Sequence, residues 1–237
     1  MRIVFFSFLF LFIAELSVII LPESVLASVA LPLFAFSAVW YLSGRLNMSV
    51  LAGVYGGVSA ALLSLVPGGF PEHISVFFAV VAWYAFMRAV ADRRPRGVAL
   101  ISFIEVLVFY FVMLAWYAFS HVSLFFALII IALGTALIFF NSVTTVCELG
   151  MRLRLRLFAF SLGVSVIMAE LFFVFSRLPL HIANIDFLLF FVYYIVWDAT
   201  TRYFSSRFTK RALIINILLL FLGFSTVLAF VRWLPSL

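Results

Sequence analysis

Runs of about twenty apolar residues, the length a helix needs to cross a ~30 Å hydrocarbon core, follow one another along the chain with only short polar gaps between them. The pattern predicts nine transmembrane helices over residues 3–21, 25–43, 46–66, 74–90, 98–119, 122–143, 157–176, 181–198 and 212–231. The runs over 74–90 and 181–198 are short, so eight crossings is the alternative count. Breakers stand in the connections: Pro22, Gly44, Pro67-Gly68-Gly69, Pro71, Pro95, Gly97, Gly150 and Pro179. The implied fold is all-α, a polytopic bundle of tandem helical hairpins forming a single integral membrane domain. The first run follows Arg2 as a signal peptide would. It is too long for a signal core, however, contains Glu15, and leads into Leu21-Pro22-Glu23 rather than a small-residue cleavage site. It is read as helix 1.

Charge gives the orientation, because lysine and arginine collect in cytoplasmic loops. With nine crossings, Arg2, Arg45, Arg88, Arg93, Arg94, Arg96, Arg152, Arg154, Arg156, Arg202, Arg207, Lys210 and Arg211 share one side, and only Arg177 and Arg232 fall on the other. This places the N-terminus in the cytoplasm and the C-terminus outside, in the cell membrane. Tryptophans favour the two interfaces. Trp40, Trp83 and Trp197 sit at inner helix ends, and Trp116 and Trp233 near outer ends.

Composition excludes the water-soluble classes. Soluble domains are about half apolar and a quarter charged, whereas these 237 residues are 68% hydrophobic and 10% charged, with 32 phenylalanines. The net charge of +6 is then a topology signal rather than a nucleic-acid footprint. The single cysteine, Cys147, stands beside a basic segment and reads as a cytoplasmic thiol.

Helix association in lipid relies on small residues that let backbones approach. Ser49, Gly53, Gly57 and Ala61 form one such stripe on helix 3, with Ala52, Gly56 and Ala60 beside it. Pro32 removes a backbone bond in helix 2 and predicts a bend. A W-x4-R pattern recurs at Trp40–Arg45, Trp83–Arg88 and Trp197–Arg202. Leu-Pro turns follow Ala14-Glu15-Leu16 and Ala169-Glu170-Leu171. These echoes suggest a duplicated two-helix unit; interfacial tryptophans and inner arginines at fixed offsets are the alternative source.

Ionisable groups inside the hydrocarbon cost about 2.5 to 3.5 kcal/mol each on insertion scales and are functional candidates. Glu15 and Glu170 each lie about 10 Å deep from the outer end of their helices at 1.5 Å rise per residue, and Glu105 lies at similar depth from the inner side. A hairpin of helices 7 and 8 sets Glu170 level with Asp186, with Arg177, His181 and Asn184 nearer the turn. Glu15 joins them if helices 1 and 7 touch. The result is an outer acidic pocket for a proton, a cation or a polar headgroup, with Glu105 as an inner relay. Local satisfaction by hydroxyls, local pairing of Arg177 and capping by Asp186 are the alternative roles. His73, His121 and His181 fall in separate outer turns without the paired spacing of a metal site.

No HExxH, GxSxG, Walker or dinucleotide motif is present, and the Gly53–Gly57 segment lies inside a helix, where it cannot cradle phosphate. No cofactor or metal is expected. The leading expectation is a small transporter or carrier. The alternatives are a non-catalytic membrane subunit or assembly partner, and an enzyme modifying lipid headgroups. The expected partners are membrane lipids, with a protein partner or a second copy of the chain under the subunit reading, and no nucleic acid.

Overall fold

The computed structural model describes residues 2–20, 25–65, 70–92, 95–119, 123–147, 149–178 and 180–230, and among them the chain forms nine α-helices and no strand. These are α1 (Arg2–Ile20), α2 (Val25–Ser43), α3 (Leu46–Leu65), α4 (Phe70–Ala91), α5 (Pro95–Phe119), α6 (Leu124–Val146), α7 (Met151–Ser176), α8 (Ile182–Phe204) and α9 (Lys210–Phe230). Six of them, α3 to α8, are long and apolar enough to cross a membrane. Shorter apolar stretches, Val29–Ser43 and Leu213–Ser225, lie in α2 and α9. His121, Trp233, Arg232 and the predicted breakers Pro22, Pro67, Gly68, Gly69 and Pro179 lie outside the described residues.

Three helices begin three or more residues earlier than the apolar runs indicate. α4 starts at Phe70, which puts His73 in a helix rather than in a turn. α5 starts on Pro95, because proline fits the first helical position, where no backbone N–H is needed. α7 starts at Met151 behind Gly150, an extended N-cap (φ −68°, ψ 162°). Arg152, Arg154 and Arg156 therefore lie on a helix rather than in a loop; arginine is a good helix former, and Arg154 Nε donates to the Leu149 carbonyl at 2.9 Å.

The chain divides into two compact units, Met1–Val108 and Phe109–Leu237. In the first, α2 and α3 form a closely packed hairpin, α1 lies against α2 and α4, and α4 also touches α2 and α3. The turn of that hairpin is Gly44-Arg45: Gly44 has the left-handed φ of 61° that ends helices without a Cβ penalty, and Ser43 Oγ accepts the Arg45 amide at 3.2 Å. At mid-helix, Gly56 packs directly on the α2 backbone; a Cβ there would sit 2.6 Å from the Leu31 carbonyl oxygen and 2.9 Å from Pro32 Cα. Of the predicted small residues, the buried ones are Ser49, Ala52, Gly56 and Ala60. Gly53 and Gly57 are partly exposed, and Cβ atoms there would make only ordinary contacts with Phe36 and Pro32; Ala61 is also partly exposed. The close approach therefore runs along the Ala52-Gly56-Ala60 face. Aromatic rings fill the rest of this unit: Phe10 stacks on Trp83 at 4.9 Å, and Tyr55 and Phe86 lie against the same indole.

In the second unit α6 pairs with α7, α8 touches both, and α9 lies on α8. Polar side chains join these helices. Trp197 Nε1 of α8 donates to Ser142 Oγ of α6 at 2.9 Å, and Asn216 Nδ2 of α9 donates to Asp198 Oδ2 of α8 at 2.9 Å. Asp198 also takes Arg202 Nε at 2.7 Å. The buried Asn141, Ser142, Thr144 and Thr145 near the end of α6 donate to carbonyls three or four residues back, which satisfies them inside an apolar core. Trp83 is fully buried and Trp197 nearly so, so two of the three tryptophans of the W-x4-R pattern are core residues rather than interfacial anchors. Trp40 is half exposed.

Candidate functional site

The intramembrane acids divide into those with visible companions and those without. Glu15 on α1 meets His73 on α4, with Nδ1 3.1 Å from Oε2 and 3.4 Å from Oε1, the arrangement in which an imidazole N–H donates to a carboxylate. The pair stands in a groove of about 540 Å³ between α1 and α4, otherwise lined almost wholly by apolar side chains such as Phe8, Leu11 and Phe77. Glu170 is exposed on α7, in a depression of about 560 Å³ with Leu128 and Ala132 of α6 and Phe173 of its own helix.

Glu105 on α5 is 1% exposed, and neither of its carboxyl oxygens has a hydrogen-bond partner among the described atoms. Tyr55 of α3 lies within electrostatic reach of it, but the Tyr55 hydroxyl donates to the Ala79 carbonyl at 2.6 Å. Asp186 on α8 is 5% exposed, with Oδ1 unpartnered among the described atoms. Its charge reaches Tyr110 of α5, whose hydroxyl shares a 2.9 Å hydrogen bond with Thr135 of α6. Each unit thus contains one buried carboxyl group near a buried tyrosine that is already engaged elsewhere. An acid stripped of water and of donors needs a proton or a cation as its companion.

The remaining predicted residues have local roles. Arg177 is the C-cap of α7, its backbone N–H donating to the Val174 carbonyl at 3.1 Å, and its guanidinium lies 5.4 Å over the Phe173 ring. His181 is the N-cap of α8, its Nδ1 accepting the Ala183 amide at 3.3 Å, and Asn184 is half-buried in the turn that follows. The structure therefore joins Glu15 to His73, while the groove around Glu170 is lined by apolar neighbours. Among the described residues no three histidine, cysteine, aspartate or glutamate side chains converge as a metal site. Cys147, the C-cap of α6, donates Sγ–H to the Thr201 carbonyl at 3.5 Å, and burial pushes its thiol pKa up. Tyr55, Tyr110 and Asp198 carried no sequence signal beyond their residue types. The Glu15–His73 contact spans 58 positions and needed only the knowledge that α1 packs on α4.

Apolar helices of spanning length, large phenylalanines turned outward along their sides, and carboxyl groups buried between them are consistent with a multi-pass helical membrane protein. No known protein family, curated protein or solved structure gives a significant match to this chain.

Proposed function

We propose that the protein is a small carrier of the cell membrane, with nine crossings, the N-terminus inside and the C-terminus outside, and that it moves protons or a cation by way of carboxyl groups buried among its helices. The observation that carries this reading is Glu105: fully enclosed, with both oxygens unpartnered among the described atoms. A packing role is better served by leucine, since an unmet buried acceptor costs about 1–3 kcal/mol; retaining an acid there makes sense where it exchanges its companion. Asp186 is the counterpart in the second unit, and the arginine distribution supports the orientation.

The test is the full chain in sealed vesicles holding a pH-sensitive dye, under an imposed pH gradient and with sodium or potassium as counter-cation. The carrier reading requires proton flux above that of protein-free vesicles, and its loss in Glu105→Gln and Asp186→Asn variants that retain wild-type helicity. Flux equal to empty vesicles under every cation, or unchanged in both variants, overturns it.

A second reading rests on Glu170. An exposed carboxylate on a lipid-facing helix costs about 2.5–3.5 kcal/mol, and a partner helix or a second copy covering it would remove that cost. A Glu170→Leu variant that changes neither the oligomeric size nor the co-purifying proteins in mild detergent excludes this reading.

A further inference from the structure

The α1/α4 groove has a polar head and an apolar body. Its α1 wall, from Val4 through Phe8 and Leu11 to Glu15, rises about 16 Å at 1.5 Å per residue, close to half of a ~30 Å hydrocarbon core. Its wide opening runs along the helix sides, where Phe8 and Phe77 are 67% and 63% exposed. At one end stand a carboxylate and an imidazole in contact, with side chains 30% and 52% exposed, so both have surface left for a ligand. We propose that this groove binds one phospholipid with an ethanolamine headgroup, an acyl chain lying along α1 and α4 and the headgroup read by Glu15 and His73.

Charge complementarity selects this occupant. The ethanolamine headgroup sets a primary ammonium beside a phosphate, as the groove sets a carboxylate beside a basic ring. Ammonium N–H groups donate charge-assisted bonds to Glu15, and the phosphate accepts from the second ring nitrogen of His73 in the doubly protonated imidazolium, whose other N–H stays on Glu15. A choline headgroup has no N–H to donate and favours an aromatic cage, whereas the aromatic rings here line the apolar body of the groove. A glycerol headgroup keeps the phosphate but offers Glu15 no cation. Within the groove, Ser7 is 8% exposed and its hydroxyl is unpartnered among the described atoms, so a larger side chain at this position fills the acyl channel without touching the head. The site is independent of the carrier reading, which rests on Glu105 and Asp186.

The experiment is competition for the full chain, delipidated in mild detergent, by equal amounts of ethanolamine, choline and glycerol phospholipids with identical acyl chains, with retained lipid counted by mass spectrometry of the intact complex. The expected result is an ethanolamine preference of about fivefold, ~1 kcal/mol, lost in Glu15→Gln and in His73→Gln. Ser7→Phe lowers retention of all three lipids. Equal retention of the three headgroups by the wild-type chain overturns the proposal whether or not the variants fold. A preference that persists in folded Glu15→Gln and His73→Gln proteins does so as well.

Discussion

The two units reach the same helical density by different means. The first is held by shape: a glycine lets α3 lie directly on the α2 backbone, and flat rings from α1, α3 and α4 stack around Trp83. The second is held by polar contacts, with Trp197 to Ser142, Asn216 to Asp198 and Tyr110 to Thr135 each joining a different pair of helices. Its rings meet edge to face, as Phe139 does with Tyr193. Lipid supplies no hydrophobic force between helices, so close packing and interhelical hydrogen bonds are the two means available, and the two halves combine them in different proportions: the first adds the Tyr55–Ala79 and Glu15–His73 contacts to its packing. There is also a common plan. Phe10, Phe34, Tyr55 and Trp83 bring one ring from each of α1 to α4 into contact. Tyr110, Phe139, Phe160 and Tyr193 do the same for α5 to α8. Each of these ring clusters thus draws on four helices.

If shape governs the first unit, the largest effect comes from spoiling it. Gly56→Ala sets a Cβ 2.6 Å from the Leu31 carbonyl oxygen and lowers stability in detergent by about 3 kcal/mol, measured as the shift in thermal unfolding. Gly134→Ala is the matched probe in the second unit. There the added Cβ meets only the far end of the Phe109 ring, which can turn aside, so the loss stays near 1 kcal/mol. Equal losses would remove the distinction between the units.

Next in size is a gain. Glu105→Leu replaces an acid whose oxygens are unmet and raises stability by about 1–3 kcal/mol, while the carrier reading requires the same change to stop flux. Asp198→Leu moves stability the other way, because Arg202 and Asn216 lose their acceptor. A destabilised Glu105→Leu protein would mean that the carboxyl group is satisfied in the membrane.

The smallest effect tests the second unit's polar contacts. Ser142→Ala removes the hydroxyl that accepts from Trp197 Nε1 and costs about 0.6 kcal/mol, the typical size of such bonds in membranes. Gly163→Ala, where an added Cβ meets nothing within 4 Å, is the control and shows no loss, gaining up to about 1 kcal/mol from the better helix former. A Ser142→Ala protein that loses no stability would remove the Trp197–Ser142 contact from those that hold the second unit.

Helix positions were legible in the sequence because spanning runs are long and their composition is extreme. The hairpin turn at Gly44 was legible because few residues besides glycine accept its backbone angle. Starts were less so: Pro95 and Gly150 read as breakers, yet proline opens α5 and glycine caps α7. Hydropathy alone leaves Arg152 to Arg156 in a loop, although arginine propagates a helix well. Neither could the period of small residues say which of two adjacent faces is pressed against α2, since Gly53 and Gly56 differ only in what stands opposite. The acids were identified by type and depth, but their partners are tertiary facts. Nothing local distinguishes Glu15, which finds His73, from Glu105, whose oxygens find no partner among the described atoms.

The Gly44-Arg45 turn has a bearing on how the chain enters the bilayer. A two-residue link between α2 and α3 makes their ends meet at almost no loop-closure cost, and the Gly56 contact with Leu31 and Pro32 then locks the pair near its middle. During synthesis the chain emerges N-terminal end first, so this hairpin is complete before α4 exists. Both partners of the Gly56 contact are thus synthesised before α4, so the contact is available during biogenesis as well as in the finished fold.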